Sequence, residues 1–539
     1  MAGGGPDTGE LYSPWVGLIF VFNLIVGTGA LTMPKAFGQA GLVLSGLIII
    51  ALAFMSFMTA TFVIEAMAAA NAIIRYKRKE KKREPLWSPI STYEAYYSTK
   101  YTFLEETDSN SSSSCESIES LYSDNENTEK RSLLHSQRAS RNKISSYDGA
   151  SPSVNNVAIQ SGVPSLKKKK SDFFDITERV EMGQMASMYF SKVGVYIFNI
   201  ALAVYLYGDL AIYAVTVPKS LMNITCSSTH SSRDTDPCWG KDSMSRMNAY
   251  RLFLAIFVTS LGSFAFFDLT KTKYLQIVTS LLRWSAFGLM IILAIIVLVE
   301  GKEHKHKPRL VGPFESIPNL FGIVYSFMCH HSLPSLVTPI NDKSKLTRFF
   351  FGDYMLILVF YLMLCFTAVF AFTLVELQDI YTLSFFGDNP VLDIAVLQYF
   401  LALFPVFTLS TNFPIIAITL RNNLKTIFAR RTGQPYHWVI DRLFFPLLAI
   451  VPPVIVAFAT TNVDELVGIT GSYAGAVIQY IIPASMVYYG RRETKKLFGE
   501  RWGNKHRSPF HHKAWCIFVM LWAVVCVGFV TADHIISGS

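Results

Sequence analysis

The run from Asn23 through Gly27, Thr28 and Gly29 to Pro34 sets two glycines and a proline inside an apolar stretch. Such a break frees backbone groups that hydrocarbon cannot satisfy, so it must be buried in protein or line a cavity. In a cavity, amides opening the second half-helix can hold a carboxylate, and carbonyls closing the first can hold an ammonium or a metal cation. The competing reading is a glycine face used for close helix packing. A second interruption, Phe321 to Pro334, contains Tyr325, Ser326, Cys329, His330 and His331 and falls five apolar runs later. Breaks so placed match a five-plus-five inverted repeat, with a substrate site between helices one and six near the midplane. Gly27, Thr28 and Gly29 then line that site with their backbone, and Tyr325 and Ser326 face them.

Glu65, Asp209 and Arg283 also fall inside apolar runs. A charge at the centre of a membrane helix costs roughly 2.5 to 3.5 kcal/mol on insertion scales, so each should face protein or water. Asp209 has two readings of equal weight: a proton carrier, or a buried ion pair with Arg283. Glu65 lies toward one end of its run, where it can be partly wet. His330 can exchange a proton between lysosomal and cytosolic pH, or it is a core histidine bonded to a backbone carbonyl. The chain has no nucleotide-binding loop, catalytic triad or Cys/His metal spacing. We therefore expect no enzyme, no resident cofactor and no metal site, only a sodium ion or proton as coupling ion.

These residues need a membrane scaffold to position them. Of the 539 residues, 51% are hydrophobic and only 16% charged, against about a quarter charged in soluble domains. Composition thus excludes a soluble globular protein. The pattern predicts an all-α integral membrane fold of eleven spans. The first five are Trp15 to Phe37, Leu42 to Ile74, Val193 to Val217, Tyr250 to Phe267 and Tyr274 to Val299. The remaining six are Asn319 to Ile340, Tyr354 to Val375, Val391 to Leu420, Leu443 to Thr461, Leu466 to Tyr489 and Ala514 to His534. Ten form the two halves, and the last is appended. No cleavable signal peptide is expected, because no Lys or Arg precedes the first apolar run.

Basic residues set the orientation. Arg75 to Arg83, Arg421 to Arg431 and Arg491 to Lys496 follow spans two, eight and ten, which places these loops and residues 1–14 in the cytosol. Lys302, Lys305, Lys307 and Arg309 dissent. The formal charge of +9 follows this topology and predicts no nucleic acid partner. Outside the cytosol, residues 218–249 carry the glycosylation sequon at Asn223, with Cys226 and Cys238 available for a disulfide; the alternative is a chance sequon with two free thiols.

Residues 75–172 separate spans one and two (15–74) from the later segments, 173–340 and 341–539. Rich in Ser and both charges, this insert should be a disordered cytosolic segment. In it, Glu129 followed by Leu133 and Leu134 has the form of an acidic dileucine signal, which a clathrin adaptor would read for delivery to endosomes and lysosomes. The plasma membrane is the alternative destination. The four-lysine run from Lys167 can meet anionic lipid or stay solvated. Residues 175–192 have apolar positions at helical spacing and predict an interfacial helix leading into span three.

The first-span run resembles the signature of the amino acid/auxin permease group, which includes sodium-coupled neutral amino acid transporters. Cys329-His330-His331-Ser332-Leu333-Pro334 is similar to that group's sixth-helix segment, and Ser410-Thr411-Asn412-Phe413-Pro414 to its eighth-helix stretch. More narrowly, Asn23 to Lys35, Val63 to Asn71, Glu181 to Met188 and Tyr205 to Tyr213 resemble the transmembrane protein 104 family. The resemblance implies a LeuT-like bundle with broken helices one and six, moving amino acids by alternating access. It further implies that Asn23 and the oxygens of Ser410, Thr411 or Asn412 hold the coupling cation. Secondary transport of a small neutral amino acid is the leading expectation. A membrane amino acid sensor signalling through its insert and a non-transporting scaffold are the alternatives.

Overall fold

A segment crossing hydrocarbon must close its own backbone hydrogen bonds, and a helix does so. The computed structural model describes residues 11–81, 173–226, 235–239, 241–266, 273–299, 308–312, 326–386, 394–428, 437–499 and 503–537. Among these, nine helices are long and apolar enough to cross a membrane, and ten if the bent first pair is one span. The eleventh expected span, Asn319 to Ile340, is described only from Ser326 onward, as a 3-10 turn at His330–Ser332 and the short helix Leu333–Val337. The insert beyond Lys81, with Glu129, Leu133 and Leu134, and also Tyr325, lie outside the described residues.

The first span is built in two pieces. Helix α1 (Pro14–Ile25) begins with Pro14 in its first turn and Ser13 capping the Val16 amide. Helix α2 (Thr28–Ala40) leaves at 57° to it. The break is confined to Val26 and Gly27, and Pro34 sits within α2. Gly41, at φ 91°, ends α2 where the backbone of Gly312 approaches. Only glycine suits both the backbone angle and the space there.

Helix α3 (Leu42–Lys81) follows, then α4 (Met182–Tyr189), α5 (Lys192–Thr225), the hairpin of β1 (Pro237–Cys238) and β2 (Lys241–Ser245), α6 (Arg246–Gly262) and α7 (Lys273–Val299). Later come α8 (Leu333–Val337), α9 (Leu346–Ala371), α10 (Ala395–Ile427) and α11 (Phe445–Ala459). The tenth expected span comprises α12 (Val463–Ile469), two π-helical turns over Thr470–Gly475 and Val477–Ile481, and α13 (Ile482–Phe498). Helix α14 (Lys513–Ser537) closes the chain as described.

Several helices outrun the expected spans: α3 continues past Ile74 to Lys81, α5 past Val217, through Pro218, to Thr225, α10 past Leu420 to Ile427 and α13 past Tyr489 to Phe498, while α9 begins at Leu346. Hydropathy marks only the part that fits hydrocarbon. Forty residues of α3 at about 1.5 Å each make about 60 Å, twice the core thickness. The interfacial helix is shorter than its periodicity suggested. Residues 175–181 form no helix, and α4 starts after a capping box of Glu181 and Gln184. The irregular stretch is held instead by Asn71, whose Oδ1 accepts from the Thr177 and Glu178 amides, and by Arg75, which donates to the carbonyls of Phe173 and Asp175.

Packing joins α10 to α5 and α13 to α3. Glu65, read as partly wet, is instead 4% exposed and takes both its oxygens into an ion pair with Arg491, Nε to Oε1 at 2.8 Å and Nη2 to Oε2 at 2.6 Å. The Ser508 amide donates to Oε2 as well.

Candidate functional site

The unwound residues of span one open on a cavity with about 460 Å³ of empty space, part of it open to solvent. Leu24, Ile25, Gly27 and Gly29 form one wall. Tyr205, Asp209 and Tyr213, four residues apart on α5, present a single helix face opposite. Arg283 of α7, Met328 and His331 of the sixth segment, and Leu409 and Asn412 of α10 complete the lining.

The two interrupted segments are tied to one another. The Tyr361 hydroxyl of α9 reaches the Ile25 carbonyl at 3.1 Å and the Ser326 carbonyl at 2.9 Å, serving backbone that each interruption leaves without a helical partner. A Cβ built on Gly29 would lie 2.3 Å from Ser326 Oγ and 2.7 Å from its Cα. Gly29 therefore lets the two segments touch. Gly27 differs: the nearest atom to a Cβ there is the Ile25 carbonyl oxygen at 4.0 Å, and the residue is only half-buried.

Asp209 and Arg283 share the cavity, but no ion pair joins them. Asp209 hydrogen-bonds Tyr205 one helical turn earlier. Arg283, 7% exposed, donates to the Asn23 carbonyl near the end of α1 and pairs with no carboxylate among the described residues. Of the two readings of Asp209, the ion pair with Arg283 is thus absent from this conformation.

The other expected site residues are spread around this centre. Asn23 is 6% exposed, and its side-chain amide has no partner among the described residues. Ser326 Oγ is likewise buried and unpartnered. Thr28 contributes the first turn of α2. On α10, Asn412 reaches the cavity whereas Ser410 and Thr411 do not line it, and Thr411 donates to the Thr408 carbonyl of its own helix at 2.9 Å. His330 turns away: its Nε2 lies 2.8 Å from Thr59 Oγ1 on α3. His331 lines the cavity instead, with its ring against Tyr205 at 5.3 Å.

Sequence reasoning passed over Tyr205, Tyr213, His331 and Tyr361. The four-residue spacing about Asp209 was the available signal for the first two. Tyr361 lies in an apolar run with nothing to mark it.

A second charged group sits where α2 meets α5 and α12. Lys35 pairs with Asp379 and lies 3.5 Å from Asp464, and Lys219 Nζ stands 2.7 Å from Asp379 and donates to the Thr461 carbonyl. Burial pushes the Asp379 carboxyl up, but Lys219 and Lys35 outweigh it and hold the group well below the usual carboxylate range. In the loop after α5, Cys226 and Cys238 form a disulfide, with Cα atoms 4.7 Å apart. Asn223 lies in the last turn of α5 and accepts a hydrogen bond from Arg246 at 2.7 Å.

Residues 11–83 and 165–531 match the family model described as transmembrane amino acid transporter protein, which fixes the class. The chain is 51% identical to human transmembrane protein 104 over 549 aligned positions, covering 100% of this chain and 99% of the relative. It is 38% identical to the Drosophila melanogaster homolog and 34% to that of Dictyostelium discoideum, with at least 98% of each chain covered. The chain belongs to the transmembrane protein 104 family and to the wider family described as transmembrane amino acid transporter protein.

Proposed function

We propose that this protein is a secondary active transporter of small neutral amino acids, driven by a sodium or proton gradient and working by alternating access. The observation that carries the reading is the cavity at the Val26–Gly27 break, lined by the break itself and by two charged residues that do not neutralise each other. An α-amino acid carries both charges, so the amides opening α2 suit its carboxylate and Asp209 suits its ammonium. Gly27, Thr28, Gly29, Tyr325 and Ser326 are the proposed substrate contacts. Asn23, Ser410, Thr411, Asn412, Asp209 and His330 are the proposed coupling group. The fold we propose is an eleven-span LeuT-like bundle, in which the segment ending in α8 is broken span six.

Purified protein in liposomes, offered a labelled amino acid panel with sodium replaced by choline and at two pH values, tests the reading. Accumulation against a gradient supports it. Saturable binding without flux would indicate a sensor, and no ligand at all a scaffold. The Glu129, Leu133 and Leu134 motif supports a clathrin-adaptor route to endosomal or lysosomal membranes. Unchanged distribution of a variant carrying Leu133→Ala and Leu134→Ala would remove that support.

A further inference from the structure

The last four carbonyls of a helix have no partner within it and form the negative end of its dipole. At the end of α1 these belong to Phe22, Asn23, Leu24 and Ile25. The Phe22 carbonyl accepts from the Val26 amide at 2.8 Å, that of Ile25 from the Tyr361 hydroxyl, and that of Asn23 from Arg283 Nη1. This is the place at which a broken transport helix offers its oxygens to a coupling cation. Here a guanidinium already stands on it.

We propose that Arg283 is a built-in cation that replaces sodium at the end of α1, so that this protein binds no sodium there and, of the two coupling ions proposed above, the proton is the one that remains. The proposal rests on the transporter reading for its functional meaning, though not for its test. Arginine stays protonated under all conditions met by a protein, so the charge is permanent. A second cation about 6 Å away, at an effective dielectric near 20, would see its occupancy fall about a hundredfold. Among the described residues, few oxygens remain there for a hard ion that wants several. The Asn23 main-chain carbonyl is taken by Arg283, and of the three polar residues Ser410, Thr411 and Asn412 only Asn412 lines the cavity. No carboxylate among the described residues pairs with Arg283, so its charge acts on the carbonyl end and on the cavity it lines.

The test compares thermal unfolding of purified protein in sodium chloride and in choline chloride at equal ionic strength, alongside binding of radiolabelled sodium. Wild-type protein should unfold at the same temperature in both salts and show no saturable sodium binding. Arg283→Ser removes the charge and leaves room, and should gain sodium-specific stabilisation of about 3 °C at saturating salt. Arg283→Lys, which keeps a cation, should remain indifferent. Saturable sodium binding by the wild type would overturn the proposal, as would a folded Arg283→Ser protein that ignores sodium. Should Arg283→Ser be recovered as folded protein only when purified in sodium, the proposal is supported; failure to recover it in either salt counts against it. Uptake measured on the same wild-type preparation separates the two claims. Absence of amino acid uptake in either salt would end the transporter reading while the sodium measurements still decide the role of Arg283.

Discussion

Gly29 and Ser326 lie in contact across the two interrupted segments, so closely that a methyl group on Gly29 would stand 2.3 Å from Ser326 Oγ. Gly29→Ala must therefore push the segments apart, at a cost of about 1 to 3 kcal/mol typical of overpacking. We expect a lower unfolding temperature and loss of most substrate transport. Gly27→Ala, with open space at the same atom, should retain the wild-type unfolding temperature. Thermal unfolding of the two variants side by side checks the contrast.

Tyr361→Phe removes one hydroxyl that serves the Ile25 and Ser326 carbonyls together. Leaving buried acceptors unsatisfied should cost about 1 to 3 kcal/mol and loosen both breaks at once. Protease cleavage or hydrogen exchange near Val26 and Ser326 should rise in parallel. A rise at only one of them would show that the hydroxyl does not link the two.

The buried Glu65 pairs with the half-buried Arg491 and fixes α3 against α13. Glu65→Gln leaves the half-buried guanidinium without its counter-charge, at a cost of about 1 to 3 kcal/mol once its solvent contact is allowed for. The variant should unfold well below wild type. Changing both residues, to Gln and Met, should recover part of the loss, and a calorimetric double-mutant cycle measures it.

Asp379 gives a pH dependence of definite sign. Its folded carboxyl lies below the ordinary range because Lys219 and Lys35 outweigh its burial. Stability from a depressed carboxyl is present above the unfolded value, about 4, and is lost as pH falls through the folded value. The group therefore stays ionised from about pH 5 to 8. Asp379→Asn should lower stability by about 1 to 3 kcal/mol throughout that window, with the gap closing only in stronger acid. A gap that closes between pH 7 and 5 would contradict the assignment; unfolding curves at several pH values decide it.

What the sequence disclosed follows from what hydrocarbon demands. Charges are rare in lipid, and two glycines one residue apart ahead of a proline break a helix, so Asp209, Arg283, Gly27 and Gly29 stood out, and all four line one cavity. Tyrosines are common in membrane helices, which hid Tyr205 and Tyr361. Apolar runs located the spans but not the helix ends, since Lys81 and Thr225 continue helices beyond the hydrocarbon. Arg421 carried a false cue: it reads as a flanking cytosolic cation, yet it is 5% exposed and donates to the Ala265 carbonyl at 3.0 Å. Which of two adjacent histidines faces the cavity is a matter of helical phase after a break, and the sequence leaves that phase undetermined at His330 and His331.

Accumulation of labelled amino acid by liposomes holding wild-type or Gly27→Leu protein tests the central claim most directly. Space for a side chain exists at Gly27, so the variant should fold and fill the cavity. Uptake by the wild type and none by a normally folded Gly27→Leu protein is the result expected. Equal uptake by both would contradict a substrate path through the break in span one.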